Sequence, residues 1–196
     1  MKKNILAIIL VIILILELGI ISLNYFSSKK LENLPIEIIQ GSMVYDMTTP
    51  EKAIGAVDNV FVGKIVARKD TIYDENDIPT TIYEVEVKEN IKGNLVTSSN
   101  IELYQIGGIN KNNTSYTFYE NTNYLEENEE YIILAFVPFE KGNLIIHNQF
   151  TYIELTSNKE RTANVVNLLE TYKEAYQNQE IPESKKETFI SKYEEK

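Results

Sequence analysis

Two glutamates in one short segment are the residues of this sequence that come nearest to a catalytic pair. Glu84 and Glu86 belong to TTIYEVEVKENIKG, residues 80–93, in which apolar and charged residues alternate. Alternation with a period of two predicts a β-strand and places both carboxylates on the same face. Two such carboxylates can serve as the acid and the base or nucleophile of glycoside hydrolysis. A solvated charged face is the simpler interpretation, and it is the one we expect.

A second group of carboxylates lies between Lys69 and Pro79 and consists of Asp70, Asp74, Glu75 and Asp77. Loop carboxylates suit Ca²⁺, which prefers oxygen ligands. However, the segment lacks the glycine and the closing glutamate of an EF-hand loop. The pattern therefore predicts a polar loop with an acidic hairpin tip and no metal site.

The remaining residue types exclude several kinds of chemistry. His147 is the only histidine and there is no cysteine, so neither a thiolate nor a histidine-rich zinc site can form. The sequence also lacks a G-x-S-x-G turn and a glycine-rich phosphate loop. We therefore predict no catalytic residue, no metal ligand and no cofactor, and we expect His147 to be structural.

Aromatic residues near a double glycine form the one candidate binding surface. Tyrosine-rich loops at the mouth of a barrel suit contacts with proteins or sugars. The alternative is that these tyrosines cover the sheet. The candidate residues are Tyr104, Gln105, Gly107, Gly108, Tyr116, Phe118, Tyr119 and Tyr124.

The elements that must position these residues are mostly strands. The apolar run Tyr131–Phe139 predicts a strand buried on both faces, and Gly63 marks a bend in the first strand. Residues 109–124 are expected to form a long exposed loop. The other predicted strands are Val60–Arg68, Thr80 to about Asn90, Asn100–Ile106, and Leu144–Ile146 with Phe150–Leu155, either as one interrupted strand or as two short ones.

Two helices are predicted beside these strands. Thr49, Pro50 and Glu51 are typical of the start of a short helix over residues 50–57. A capping box beginning at Ser157 precedes a helix that runs to about Gln177. Its apolar stripe is expected to cover one face of the sheet and contains Val165, Leu168, Leu169, Tyr172, Ala175 and Tyr176.

The N-terminal segment predicts a membrane anchor. Residues 5–23 are 19 mostly apolar residues with one charge, Glu17, which is long enough to span a bilayer. Lys2 and Lys3 favour a cytoplasmic N-terminus and an extracytoplasmic body in a single-pass cell-membrane protein. Cleavage after Asn24 is the alternative. Glu17 either contacts a partner helix, or lies near the membrane interface or is protonated.

The domain organisation follows from these segments. We expect a signal anchor over residues 1–26, a juxtamembrane connector over 27–49, a β-barrel domain with its closing helix over 50–180, and a charged C-terminal tail over 181–196. A short frayed helix is expected within the tail.

The charge of the chain limits its partners. The net charge is −10, and residues 31–196 contain 15 basic against 28 acidic residues, which gives −13. This charge argues against nucleic acids and anionic lipid headgroups as partners, because both require clustered lysines and arginines.

About five strands, a glycine in the first strand and a closing helix are typical of a small antiparallel barrel of the oligonucleotide/oligosaccharide-binding (OB) type. The chain resembles exported proteins of Gram-positive bacteria, which in turn resemble the netrin and metalloproteinase-inhibitor form of this barrel. The animal inhibitors use an N-terminal cysteine to chelate zinc, and since this chain has none, that mechanism is not implied. The resemblance covers roughly residues 50–156 and rests on AVDNVFVGKI (56–65), YEVEV (83–87), IKG (91–93), QIGG (105–108) and YIIL (131–134).

The sequence therefore predicts a mainly β protein: a five-stranded OB-like barrel with a C-terminal helix, preceded by one transmembrane helix. We expect a non-enzymatic, membrane-anchored domain that binds a protein or a cell-envelope ligand. A carboxylate-dependent cell-envelope hydrolase and an accessory subunit of a membrane complex are the alternatives.

Overall fold

A computed structural model describes residues 34–41, 44–138, 142–155, 162–185 and 187–195. The predicted anchor over residues 1–26 and the capping box at Ser157 lie outside these ranges. Within them, no helix has the length and hydropathy needed to cross a membrane.

The mainly β prediction is confirmed, with 42% strand, 13% helix and a C-terminal helix. The two described helices are α1, Pro50–Ala56, and α2, Thr162–Gln177. The described strands are β1 Ile36–Ile39, β2 Asn59–Tyr73, β3 Pro79–Lys92, β4 Asn100–Ile106, β5 Gly108–Ile109, β6 Tyr116–Tyr119, β7 Glu130–Ala135, β8 Leu144–Ile146 and β9 Tyr152–Glu154.

The strands form a six-stranded sheet and a three-stranded sheet. The first has the order β8-β4-β3-β2-β7-β9, and the second has the order β1-β6-β5. All neighbours are antiparallel except β4 with β8 and β1 with β6. Beyond the end of β7, Phe136 and Ile145 exchange two backbone hydrogen bonds of 3.0 and 2.9 Å.

The β2–β3 hairpin is longer than its sequence pattern predicts. The polar loop expected from Lys69 to Pro79 is wrong in extent, because β2 continues to Tyr73 and β3 begins at Pro79. Thr71, Ile72 and Tyr73 all have high β propensity, which supports this extension. The acidic tip is confined to the turn, where Asp74 Oδ1 accepts hydrogen bonds from the N–H groups of Asn76 and Ile78 at 2.9 and 2.8 Å.

Two segments expected to lack regular structure contain strands. Residues 36–39 of the predicted connector form β1, and residues 116–119 of the predicted exposed loop form β6. The two strands pair in parallel, Ile36 with Tyr116 and Ile39 with Tyr119. The pairing joins segments 80 residues apart in the chain, so neither segment carries a local signal for it.

The core has two parts, one on each side of β2 and β7. Phe61 and Ile65 belong to one cluster, and Val60 and Val62 belong to the other. The apolar residues of β7 likewise alternate between the two clusters, which confirms that this strand is buried on both faces. Helix α2 packs on the second cluster, as its stripe predicted, through Leu168, Leu169, Tyr172, Ala175 and Tyr176, while the side chain of Val165 lies outside the description.

The C-terminal segment packs against the rest of the structure, and the frayed helix expected there is wrong. Lys185 Nζ lies 2.9 Å from Asp58 Oδ1, and both side chains are less than 10% exposed. Phe189 and Tyr193 pack on the first core cluster, and Glu194 forms a β-bridge with Leu95. The apolar residues between the charges hold this segment in place.

Candidate binding site

The eight candidate residues of the aromatic surface do not form one patch. Gln105, Gly107, Gly108 and Phe118 are buried. Tyr104 lies at a different place, with its hydroxyl donating to Glu102 Oε2 at 2.9 Å. Tyr119 lies beside His147, and only Tyr116 and Tyr124 line the cleft described below. The alternative that the tyrosines cover the sheet stays open, because none of the four fully buried residues is a tyrosine.

The buried side chain of Gln105 stabilises, through hydrogen bonds, the backbone behind the cleft. Its Oε1 accepts from the Tyr83 hydroxyl at 2.8 Å, and its Nε2 donates to the Asn123 carbonyl at 2.8 Å. The Tyr83 hydroxyl also accepts from the Leu125 N–H at 3.1 Å. Burial raises the pKa of Tyr83 far above its usual value, so the phenol stays neutral. These bonds fix the backbone on both sides of Tyr124.

The double glycine allows Tyr124 to approach the sheet. Gly108 has φ +146°, and a Cβ there would lie 2.5 Å from Thr81 Oγ1 and 3.4 Å from the Tyr124 hydroxyl. The Thr81 hydroxyl itself donates to the Gly107 carbonyl at 2.7 Å. A larger residue at position 108 would therefore be strained and would collide with the Thr81 hydroxyl.

Three aromatic rings pack together above the double glycine. The Tyr124 ring stands edge-on to Phe118, with centroids 4.9 Å apart and planes at 90°, and edge-on to Tyr116 at 5.7 Å and 88°. Edge-to-face pairs at these distances are favourable. Burial raises the pKa of the Tyr124 hydroxyl, which keeps it uncharged. The cluster is therefore a rigid and neutral aromatic platform.

Arg68 completes the site, and sequence reasoning missed it. Its Cζ lies 4.1 Å from the centroid of the Tyr124 ring, a cation–π contact. Its backbone N–H donates to Glu127 Oε1 at 2.9 Å. The sequence offered only one indication of Arg68, the rarity of arginine: the chain contains two, Arg68 and Arg161, among 19 basic residues.

We call the resulting groove the aromatic cleft. It has a volume of about 360 Å³. Tyr73 closes one side by donating from its hydroxyl to the Ile109 carbonyl at 3.3 Å. The lining combines cationic, acidic and aromatic side chains: Arg68, Lys69, Asp70, Thr71, Tyr73, Ile109, Tyr116 and Tyr124.

The glutamate pair on β3 is partly exposed, and both carboxylates form ion pairs. Glu84 lies 2.7 Å from Lys69 Nζ and accepts from Asn100 Nδ2 at 2.8 Å. Lys69 and Asn100 lower the pKa of Glu84, whereas a general acid needs a raised pKa. Glu86 lies 2.7 Å from Lys88 Nζ. In the part of the chain that the structure describes, acidic and histidine side chains form no group able to hold a metal ion.

His147 lies in a second cavity of about 240 Å³. Its ring stacks on Phe136 with centroids 5.1 Å apart and planes at 13°, and its centroid is 5.9 Å from that of Tyr119. Burial lowers the pKa of His147, which favours the neutral ring. Its Nδ1 is 3.1 Å from Asn148 Nδ2, so this nitrogen accepts and the neutral ring carries its proton on Nε2. Packing against aromatic neighbours agrees with the structural role expected of this residue.

Comparisons with known proteins add no functional assignment. Neither the models of protein families nor the curated proteins match this sequence. The resemblance to exported proteins of Gram-positive bacteria therefore stays a prediction, and the function has to be argued from geometry.

Proposed function

We propose that this chain is a non-enzymatic, membrane-anchored extracytoplasmic module that binds a protein partner through the aromatic cleft. The observation that carries the proposal is Arg68 lying on the Tyr124 ring at the open side of a pre-formed aromatic cluster. Tyrosine and arginine are the residue types that dominate binding energy at protein interfaces. A platform held by Gln105 and Gly108 also loses little conformational entropy on binding.

Strand connectivity supports an OB-like barrel as the scaffold of this module. The strand β2 pairs with β3 and β7, β3 pairs with β4, and β4 pairs with β8. The bridge between Phe136 and Ile145 joins β8 back to the end of β7, so the pairings return to β2. A five-stranded, partly open barrel has this kind of circuit.

The N-terminal sequence supports membrane anchoring and an outward-facing body. Residues 5–23 are apolar except for Glu17, and two lysines precede them. The large acidic surplus of the remaining chain suits a soluble domain held away from anionic headgroups.

Photo-crosslinking in intact cells tests this function. The crosslinker p-benzoylphenylalanine replaces Thr71, which lines the cleft, or as a control Val96, which lies beyond the opposite end of β3 and is 40% exposed. We expect a discrete protein adduct from position 71 only, with its yield reduced several-fold by Tyr116→Ala. Protease added outside the cells before irradiation should abolish the adduct, because the body lies outside the membrane.

Identical adducts from positions 71 and 96, or an adduct insensitive to Tyr116→Ala, would contradict binding through the cleft. An adduct that survives external protease would contradict the proposed orientation. A saccharide adduct in place of a protein adduct would favour the cell-envelope ligand.

A further inference from the structure

The guanidinium of Arg68 is an uncommitted cation in an acidic protein. Within the described ranges, no carboxylate forms an ion pair with it. The nearby Glu127 carboxylate accepts from the backbone N–H of Arg68, and Glu84 pairs with Lys69. Among the acidic residues that the structure describes, none thus takes up this guanidinium, which leaves it available for an external anion.

The position of the guanidinium indicates how that anion would bind. The Arg68 Cζ lies 4.1 Å from the centroid of the Tyr124 ring, and Arg68 is exposed, so its guanidinium N–H groups are accessible to a ligand. A planar guanidinium edge matches a carboxylate through two parallel hydrogen bonds. The adjoining walls carry apolar and aromatic surface from Tyr73, Ile109 and Tyr116. A matching ligand therefore has a carboxylate beside an apolar or aromatic group.

The charge around the cleft limits the ligand to few negative charges. Asp70 lines the same wall, and the whole chain carries −10. Lys69, the other cation of the cleft, already pairs with Glu84 at 2.7 Å. A polyanion in the cleft would therefore pair with one available cation and be repelled by the surrounding negative charge. A single carboxylate needs only Arg68.

Resting on the proposed function, we propose that the aromatic cleft binds a peptide segment of the partner in which one carboxylate pairs with Arg68. An adjacent aromatic or aliphatic side chain of the peptide packs on Tyr73, Ile109 and Tyr116. Peptide chains supply both groups on neighbouring residues, and they contribute backbone donors and acceptors that can engage Asp70 and Thr71.

Side-chain NMR of the full-length protein in neutral detergent micelles tests this inference. Labelling with ¹⁵N-arginine gives two Nε–Hε signals, because the chain contains only Arg68 and Arg161. Arg68→Lys removes and thereby assigns the Arg68 signal. The probes are the blocked dipeptide acetyl-Phe-Glu-amide, its uncharged match acetyl-Phe-Gln-amide, and inorganic polyphosphate.

We expect the glutamate peptide to shift the Arg68 signal with saturation and the glutamine peptide to bind at least about tenfold more weakly, a factor that corresponds to about 1.4 kcal/mol. Tyr116→Ala should weaken the glutamate peptide by a similar factor, because aromatic contacts at interface centres carry much of the binding energy. Equal responses to the two peptides, or none to either, would overturn the carboxylate inference. A stronger response to polyphosphate would overturn the choice of a singly charged peptide. In each of these cases a cleft-dependent crosslink in cells would still support the proposed function, so the two proposals fail separately.

Discussion

Lys92 is a buried cation at the C-terminal end of helix α1. Its Nζ donates to the carbonyls of Ile54 and Val57 at 2.7 and 2.8 Å. Lys185 donates to the Val57 carbonyl from the other side at 2.7 Å. Cations at this position satisfy orphan carbonyls and face the negative end of the helix dipole. Burial, together with the Lys185 ammonium, lowers the pKa of Lys92 to about 8, and the Asp58 carboxylate opposes this change.

The lowered pKa predicts a pH dependence of stability. Between pH 8 and 10.5, Lys92 has lost its proton in the folded state but keeps it in the unfolded state. The free energy of unfolding contributed by this group therefore rises with pH across the window, because the unfolded state binds more protons. Below pH 8 the cost of burying the ammonium is fully present.

Chemical denaturation of the wild type and of Lys92→Met across this window measures the effect. The wild type should gain stability relative to the variant from pH 8 to 10.5, and the tyrosines common to both chains cancel in the comparison. If the free energies of unfolding of the two proteins changed with pH in parallel, Lys92 would keep its proton in the folded state.

At the scale of elements, the β2–β3 hairpin depends on Gly63. The register of the pair shifts between Val62 and Gly63, as the bend expected there requires. A Cβ on Gly63 would lie 2.6 Å from Val85 Cγ1 and 2.8 Å from Ile133 Cδ1. Both neighbours are fully buried and cannot move into solvent.

We expect Gly63→Ala to lower the free energy of unfolding by about 1–3 kcal/mol, because an added methyl group overpacks the core. Ile133→Val removes the Cδ1 atom that the new methyl would meet and alone costs about 0.5–1.5 kcal/mol. The double variant should lose clearly less than the sum of the two, as measured by urea denaturation. If the stability losses of the two single variants simply added, the contact with Ile133 Cδ1 would not be the cause of the loss in Gly63→Ala.

Elements with strong local patterns were predictable, and those defined by distant pairing were not. The alternation from Tyr83 to Lys88 and the apolar run of β7 correctly predicted strands β3 and β7 and their buried faces. In contrast, β1 and β6 are four residues each and are stabilised by each other, so no window of sequence predicts them. The same holds for the contact of Arg68 with Tyr124, because these two residues are far apart in the chain and no local pattern links them.

At the scale of the whole molecule, the C-terminal segment forms hydrogen bonds with several segments that are distant from one another in the chain. Beyond the Lys185–Asp58 pair, the Asn59 side chain donates to Glu194 Oε1 at 3.0 Å. The Lys192 N–H donates to the Gly142 carbonyl at 3.0 Å, and the Glu195 N–H donates to the Asn94 carbonyl at 3.0 Å. One segment thus contacts the start of β2, the β3–β4 connection and the residues before β8.

Ending the chain at Glu180 should lower the free energy of unfolding by more than about 3 kcal/mol, because it removes the Lys185 partner of Asp58 and uncovers the core surface on which Phe189 and Tyr193 pack. Thermal and urea denaturation of the truncated and complete chains measure the loss. Ile190→Ser is the control, since this residue is 76% exposed and should change stability by no more than about 0.5 kcal/mol. An unchanged midpoint after truncation would show that the docked segment contributes nothing to stability.

The sequence by itself determined the class of the fold, the two-faced burial of β7, the outward charged face of β3 and the absence of cysteine chemistry. These properties follow from composition and from periods of two and 3.6 residues, which local physics enforces. Only the tertiary structure decided that the C-terminal segment docks, that β1 pairs with β6, and that Arg68 lies on Tyr124. Each of these depends on the distance between residues far apart in the chain, and that distance is set by packing of the whole molecule.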